Sequence, residues 1–173
     1  MTMGPRLRKT VLVAHVATSV GWLGALTGYL ALDLAAATGS DLATVRGAYL
    51  AMDLLARYAI VPLALASVLI GIINAVGTPW GLFRHYWVLV KLTLTLVATG
   101  VLLVEVESVR YLADLATSTP DPRRLSSTLP HSIGGLIILT TALILSVFKP
   151  RGLTRYGWRK QREARNPITA TTR

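Results

Sequence analysis

In the stretch "HVATSVGWLG", His15 to Gly24, an imidazole stands inside an otherwise apolar run from Val11 to Leu32. A simple membrane anchor would carry a leucine there, because an unpartnered polar ring in an apolar setting costs free energy. A neutral imidazole in that position offers two kinds of chemistry, metal ligation or a hydrogen bond to a neighbouring helix. Asn74 is the best-placed partner for the second. Ser19 and Trp22 follow His15 at helical spacing, and a lysine, Lys91, stands near the start of a later apolar run that follows His85. A separate set, Asp33, Asp53, Glu105 and His131, offers oxygen and imidazole ligands suited to zinc or a similar divalent ion. No nucleophile–base triad, phosphate loop or hydrolase motif is readable. The chain has no cysteine, which excludes disulfides, thiolate metal sites, c-type haem attachment and iron–sulfur clusters. Its three methionines supply too little sulfur for a Cu(I) relay.

The elements that must position these groups are membrane helices. The chain is 53% hydrophobic and 15% charged, a balance typical of a membrane protein. About 20 apolar residues cross a bilayer core. Four segments qualify: Thr10–Leu32, Tyr58–Val76, Trp87–Val109 and Ser132–Phe148. The first is too long for a signal-peptide core and carries His15 and Trp22. "GTPWG" (Gly77–Gly81) reads as a turn, and Thr117–Pro130 as a polar loop. Ser40–Arg57 reads as a short helix outside the membrane, leading into the second span. The expected fold is therefore all-α, a four-transmembrane-helix bundle over residues 1–150, followed by a basic tail over 151–173.

Charge orients the bundle. Arg6, Arg8 and Lys9 precede span one, Arg84 lies between spans two and three, and Lys149, Arg151, Arg155, Arg159, Lys160, Arg162 and Arg165 follow span four. The positive-inside rule places both termini in the cytoplasm. The composition suggests a bacterium, and hence a bacterial plasma membrane. The net charge of +10 lies mostly beside apolar spans and no nucleic-acid module is present, so the expected partner of the tail is anionic lipid.

At 100° per residue each helix carries one polar or small stripe. His15, Ser19, Trp22, Tyr29 and Asp33 share a face. So do Asp53, Arg57, Ala64, Ser67 and Gly71, with Asn74 at the edge. Lys91, Thr95 and Glu105 align, as do His131, Gly135, Ala142 and Lys149. In lipid, small and polar residues mark the faces that meet other helices. The stripes divide by depth. A cytoplasmic layer holds His15, Ser19, Asn74 and Lys91 with His85 at its rim. An outer layer holds Asp33, Asp53, Arg57, Glu105 and His131, where Arg57 is expected to pair with Glu105.

His15 and Trp22 form H-x6-W, and Trp87 and Lys91 form W-x3-K in "HYWVLVKLTLTL". Both resemble the small four-helix membrane proteins around the copper-resistance CopD domain and the HemJ-type protoporphyrinogen oxidases. The ending "HSIGGLIILTTALILSVFKPRGLTRYGWRK" is similar to an uncharacterised actinobacterial branch of predicted integral membrane proteins. In HemJ-type enzymes the matching histidine and lysine are implicated in haem binding and activity, so the resemblance implies the same of His15 and Lys91. Thr99 and Gly100 stand where those enzymes place a later histidine, and their "NE-P" motif is missing from the last span. The resemblance thus bears on haem more than on porphyrinogen oxidation.

The leading expectation is a membrane protein binding haem b, with electron transfer or quinone or porphyrin redox chemistry. His15 is the axial ligand in this reading. Ser19 contacts its backbone or a propionate, Lys91 pairs with a propionate, and Trp22 lies beside the macrocycle. The iron is five-coordinate or completed by His85. The alternatives are a divalent metal-ion transporter or sensor built on the outer set, and a non-catalytic structural or assembly subunit. Expected partners are the bilayer and a further copy of the chain or a redox partner, with no nucleic acid.

Overall fold

The structure, a computed structural model, describes residues 3–77, 82–150 and 152–165. Four of its helices are long and apolar enough to cross a membrane. Helix α1 spans Pro5–Thr38. Helix α2 (Leu42–Leu55) runs through a π-helical turn (Ala56–Ile60) into α3 (Val61–Val76). Helix α4 spans Tyr86–Ser118 and α5 spans Leu129–Phe148. A short α6, Arg155–Arg165, follows. The predicted turn at Gly77–Gly81 lies outside the described residues from Thr78 onward.

The second span differs from its sequence reading. Ser40–Arg57 does not form a separate helix, because Leu42–Val76 is one rod of 35 residues. Its irregularity comes from Pro62. A proline has no amide hydrogen and its ring crowds the carbonyl four residues back. The chain relieves this one residue earlier, where the Val61 amide reaches five residues back to the Ala56 carbonyl. At 1.5 Å per residue α1, α2–α3 and α4 are each about 50 Å long, against a hydrocarbon core of about 30 Å. Each therefore extends beyond the apolar window that hydropathy marks.

Threonine hydroxyls inside these helices bond back to carbonyls one turn earlier, so no hydroxyl need face lipid unpaired. Thr18 donates to the Ala14 carbonyl at 2.9 Å, Thr27 to Leu23 at 2.9 Å and Thr141 to Ile137 at 2.8 Å. Outward positions such as Val13, Val20, Leu69, Val104, Ile137 and Val147 are exposed and apolar, as a lipid-facing surface requires. Inward positions alternate large and small residues. Trp22, Tyr29, Tyr49 and Met52 pack against Ala36, Ala56, Ala64, Ala98 and Ala116.

Helix α1 packs on α2–α3 and on α5, and α4 packs on the same two. The α2–α3 rod and α5 thus bridge α1 and α4 around a common interior. Both chain ends gather at one end of the bundle. The Met3 amide donates to the Gly77 carbonyl at 3.2 Å, and Tyr86 to Gly152 at 3.3 Å. Thr154 donates its hydroxyl to the Phe83 carbonyl at 2.5 Å, which docks the start of α6 against the start of α4.

The opposite end is closed by capping. Gly39 joins α1 to α2, and a Cβ there would lie 2.6 Å from the Ala35 carbonyl oxygen and 2.9 Å from Val45. Asp41 caps α2 by accepting from the Thr44 amide at 2.8 Å and the Thr44 hydroxyl at 2.7 Å, which hold its carboxyl below the usual carboxylate range. Arg46 donates to the carbonyls of Ala116 (3.1 Å), Thr119 (2.9 Å) and Pro120 (3.2 Å) at the end of α4. A cation there answers both the orphan carbonyls and the negative end of the helix dipole. Arg46→Ala is expected to lower stability by about 1.5–3 kcal/mol, read as the thermal midpoint in detergent. Arg46→Lys should fall between, since an ammonium lacks the guanidinium fork.

Candidate functional site

Four helices converge on His15. Its ring lies flat enough against α3 that a Cβ built on Gly71 would sit 2.8 Å from Cε1, 3.3 Å from Nδ1 and 3.5 Å from Nε2. Only glycine admits the imidazole at this depth. Lys91 of α4 donates to His15 Nε2 at 3.4 Å and to Ser146 Oγ of α5 at 2.6 Å. The result is a polar chain from α1 through α4 to α5 across the interior, with α3 as its floor. His15 Nδ1 is buried with no hydrogen-bond partner.

One turn on, Ser19 shares a 2.8 Å hydrogen bond with Ser67. It does not bind the His15 backbone. Thr18 does that, donating to the His15 carbonyl at 3.1 Å. Asn74, the partner expected from the stripe, gives way to Gly71 as the α3 residue under the ring. Trp22 is buried and lines a cavity farther along α1. His85 stands at the N-terminus of α4, about 9 Å along the axis from Lys91, with its ring 6.4 Å from that of Trp87 and tilted by 52°.

The outer set separates into three pairs. Asp53 pairs with Arg57 one turn later on the same rod. Asp33, buried, accepts from Ser132 Oγ at 2.8 Å. Glu105 lies 3.4 Å from His131 Nε2. The expected Arg57–Glu105 pair does not form, because each has a nearer partner. Arg57 reaches Asp53 without crossing the bundle, and His131 opens α5 beside Glu105. Among the described residues no group of three or more histidines and carboxylates could hold a metal ion. Asp33, Asp53, Glu105 and His131 are thus held in separate pairs and are not brought together as one ligand group. Tyr29, on the same level, shares a 3.3 Å hydrogen bond with Thr128.

Three contributors escaped the sequence reading. Ser146 is a lone serine in "LILSVF" that nothing in its surroundings marks. Ser132 follows directly on His131 and was overshadowed by it. Gly71 belonged to the inner stripe, but a glycine announces space and not what fills it.

A haem can be tested against these atoms. An axial imidazole usually turns Nδ1–H toward a backbone carbonyl and presents Nε2 to the metal. In this structure His15 Nε2 faces Lys91 at 3.4 Å, and Nδ1 is buried with no hydrogen-bond partner. The group at Nε2 is an ammonium on a flexible four-carbon stem, able to exchange Ser146 for a carboxylate. A haem on the Nε2 side would take His15 as its ligand and would need Lys91 to swing from Nε2 and Ser146 toward a propionate. No family model, no curated protein and no solved structure matches the chain.

Proposed function

We propose that this four-helix membrane protein binds haem b through His15 and serves electron transfer or redox chemistry of a quinone or porphyrin. The observation that supports it is the meeting of His15 and Lys91 at 3.4 Å. They come from helices α1 and α4 and lie 76 residues apart, and they are the two residues that the H-x6-W and W-x3-K likenesses single out. When bound, haem supplies a one-electron carrier whose potential the protein tunes through ligand, hydrogen bonding and burial. The chain's own residues would seat the imidazole (Gly71), neutralise an anionic substituent (Lys91) and hold Lys91 in reach (Ser146). His15 is the one histidine ligand in this reading, and His85 serves the end of α4 and its junction with α6.

The bundle lies in a bacterial plasma membrane with both termini in the cytoplasm. In support, Arg6, Arg8, Lys9, Arg84, Lys149 and α6 share the end where the chain begins and finishes. Of the opposite cations, Arg46 is committed to carbonyls and Arg123 to Asp121.

The deciding experiment is an absorption spectrum of the detergent-solubilised protein from cells supplied with 5-aminolaevulinate. A Soret band in stoichiometric amount is the expected result. A colourless protein overturns the proposal and leaves the polar chain as interhelical hydrogen bonding in a structural subunit, a role that the Ser19–Ser67 bond also suits.

A further inference from the structure

Beyond Trp22 along α1, the interior opens into a cavity of about 200 Å³. Its walls are mostly apolar, among them Leu26, Ile60, Val106 and Leu139, with Trp22 and Tyr29 as the aromatic members of the lining. One part of the lining is polar: Glu105, Thr128, His131 and Ser132. An engineered apolar cavity of about 150 Å³ takes benzene, so this one has room for a small ring compound. It is not the His15 site, since the cavity lining begins with Trp22, about 10 Å farther along the helix.

We propose that this cavity binds a lipid-soluble quinone or quinol, its ring between Trp22 and Tyr29 and its oxygens at Glu105 and His131. The chemistry of the polar part selects this class. Glu105 and His131 lie 3.4 Å apart and their side chains are 25% and 54% exposed, so the pair sits at the cavity's wetter margin. An imidazole N–H donates to a quinone carbonyl, and a carboxylate accepts from a quinol hydroxyl. An acyl chain would use neither group and would strip water from both, at a cost in free energy. Offset aromatic faces favour a flat ring over a flexible chain. A redox role for the bound ring rests on the haem reading. Its binding does not.

The test uses menadione, a naphthoquinone without a tail, and Trp22 fluorescence in a Trp80→Phe, Trp87→Phe, Trp158→Phe background. The titration is run on protein carrying His15→Ala as well, so that a failed haem assignment and a failed cavity assignment read separately. Saturable quenching is expected in both. Gly134 lines the cavity and a Cβ there meets no atom within 4 Å, so Gly134→Leu adds bulk at the cavity wall with no clash at its first atom. It should weaken binding at least about tenfold. His131→Ala and Glu105→Gln should each weaken it about three- to tenfold, the loss of one hydrogen bond. Three outcomes would overturn the proposal. One is quenching that rises linearly without saturation. The second is unchanged affinity in Gly134→Leu and in His131→Ala. The third is displacement of menadione by a saturated fatty alcohol at equal concentration, which assigns the cavity to lipid chains.

Discussion

His15→Ala is expected to abolish the Soret absorbance of the solubilised protein while leaving its insertion and folding intact. The two consequences separate because the imidazole's roles differ greatly in size. As a hydrogen-bond partner of Lys91 it contributes about 0.6 kcal/mol, the average for a polar contact between membrane helices. That is too little to unfold a bundle whose helices each bury a face of aromatic and alanine side chains. As an iron ligand it is the sole histidine at that depth, and no neighbouring side chain replaces it. Lys91→Ala should weaken haem retention without eliminating it, because a propionate partner is less critical than the ligand. His15→Met should retain some haem with an altered potential, since a thioether favours ferrous iron. Gly71→Leu gives an independent check. Its first side-chain atom alone would lie 2.8 Å from His15 Cε1, so the ring must turn away and haem must be lost with His15 itself intact. The measurements are Soret absorbance per protein and elution volume on size exclusion. Full Soret absorbance in His15→Ala would move the ligand elsewhere.

The interior faces of α1 and α2–α3 were legible in the sequence, on α5 the stripe residues His131 and Lys149 are exposed, and the partners across the bundle were not legible. His15, Ser19, Trp22, Tyr29 and Asp33 all turn inward, and so do Ser67, Gly71 and Lys91, because a helical period of 100° per residue is a firm constraint. Depth is read less sharply. One turn separates Ser19 from His15 and Asn74 from Gly71, and register between helices is set by packing that a single sequence does not display. The Arg57–Glu105 expectation failed for this reason, while the i,i+4 neighbour Asp53 lay within the same stripe. Helix length failed for another reason. Hydropathy marks the lipid-facing part of α1, α2–α3 and α4, but backbone hydrogen bonding carries each helix on through charged residues. Within the α2–α3 rod Pro62 is accommodated by a π-turn, so the helix continues through it.

Ser132→Ala should destabilise the protein by about 1.5–3 kcal/mol, the value of a hydrogen bond to a charged group. Asp33→Leu combined with Ser132→Ala should cost less than Ser132→Ala alone. Asp33 is 1% exposed, and Ser132 donates to it at 2.8 Å from the first turn of α5. Deleting the hydroxyl strands a buried carboxylate, whereas deleting the carboxylate too leaves an apolar contact between α1 and α5. Thermal midpoints of the three variants in one detergent decide the matter. If the double variant matches or exceeds the wild type, Asp33 is not there for stability. Its position then carries a different meaning, because Asp33 lies one turn beyond Tyr29, which lines the cavity, and Ser132 lies in the lining itself. The Asp33–Ser132 bond fixes the start of α5, and with it the placement of His131 against Glu105. In that case the double variant should fold normally and bind menadione more weakly, a combination that a purely stabilising hydrogen bond would not produce.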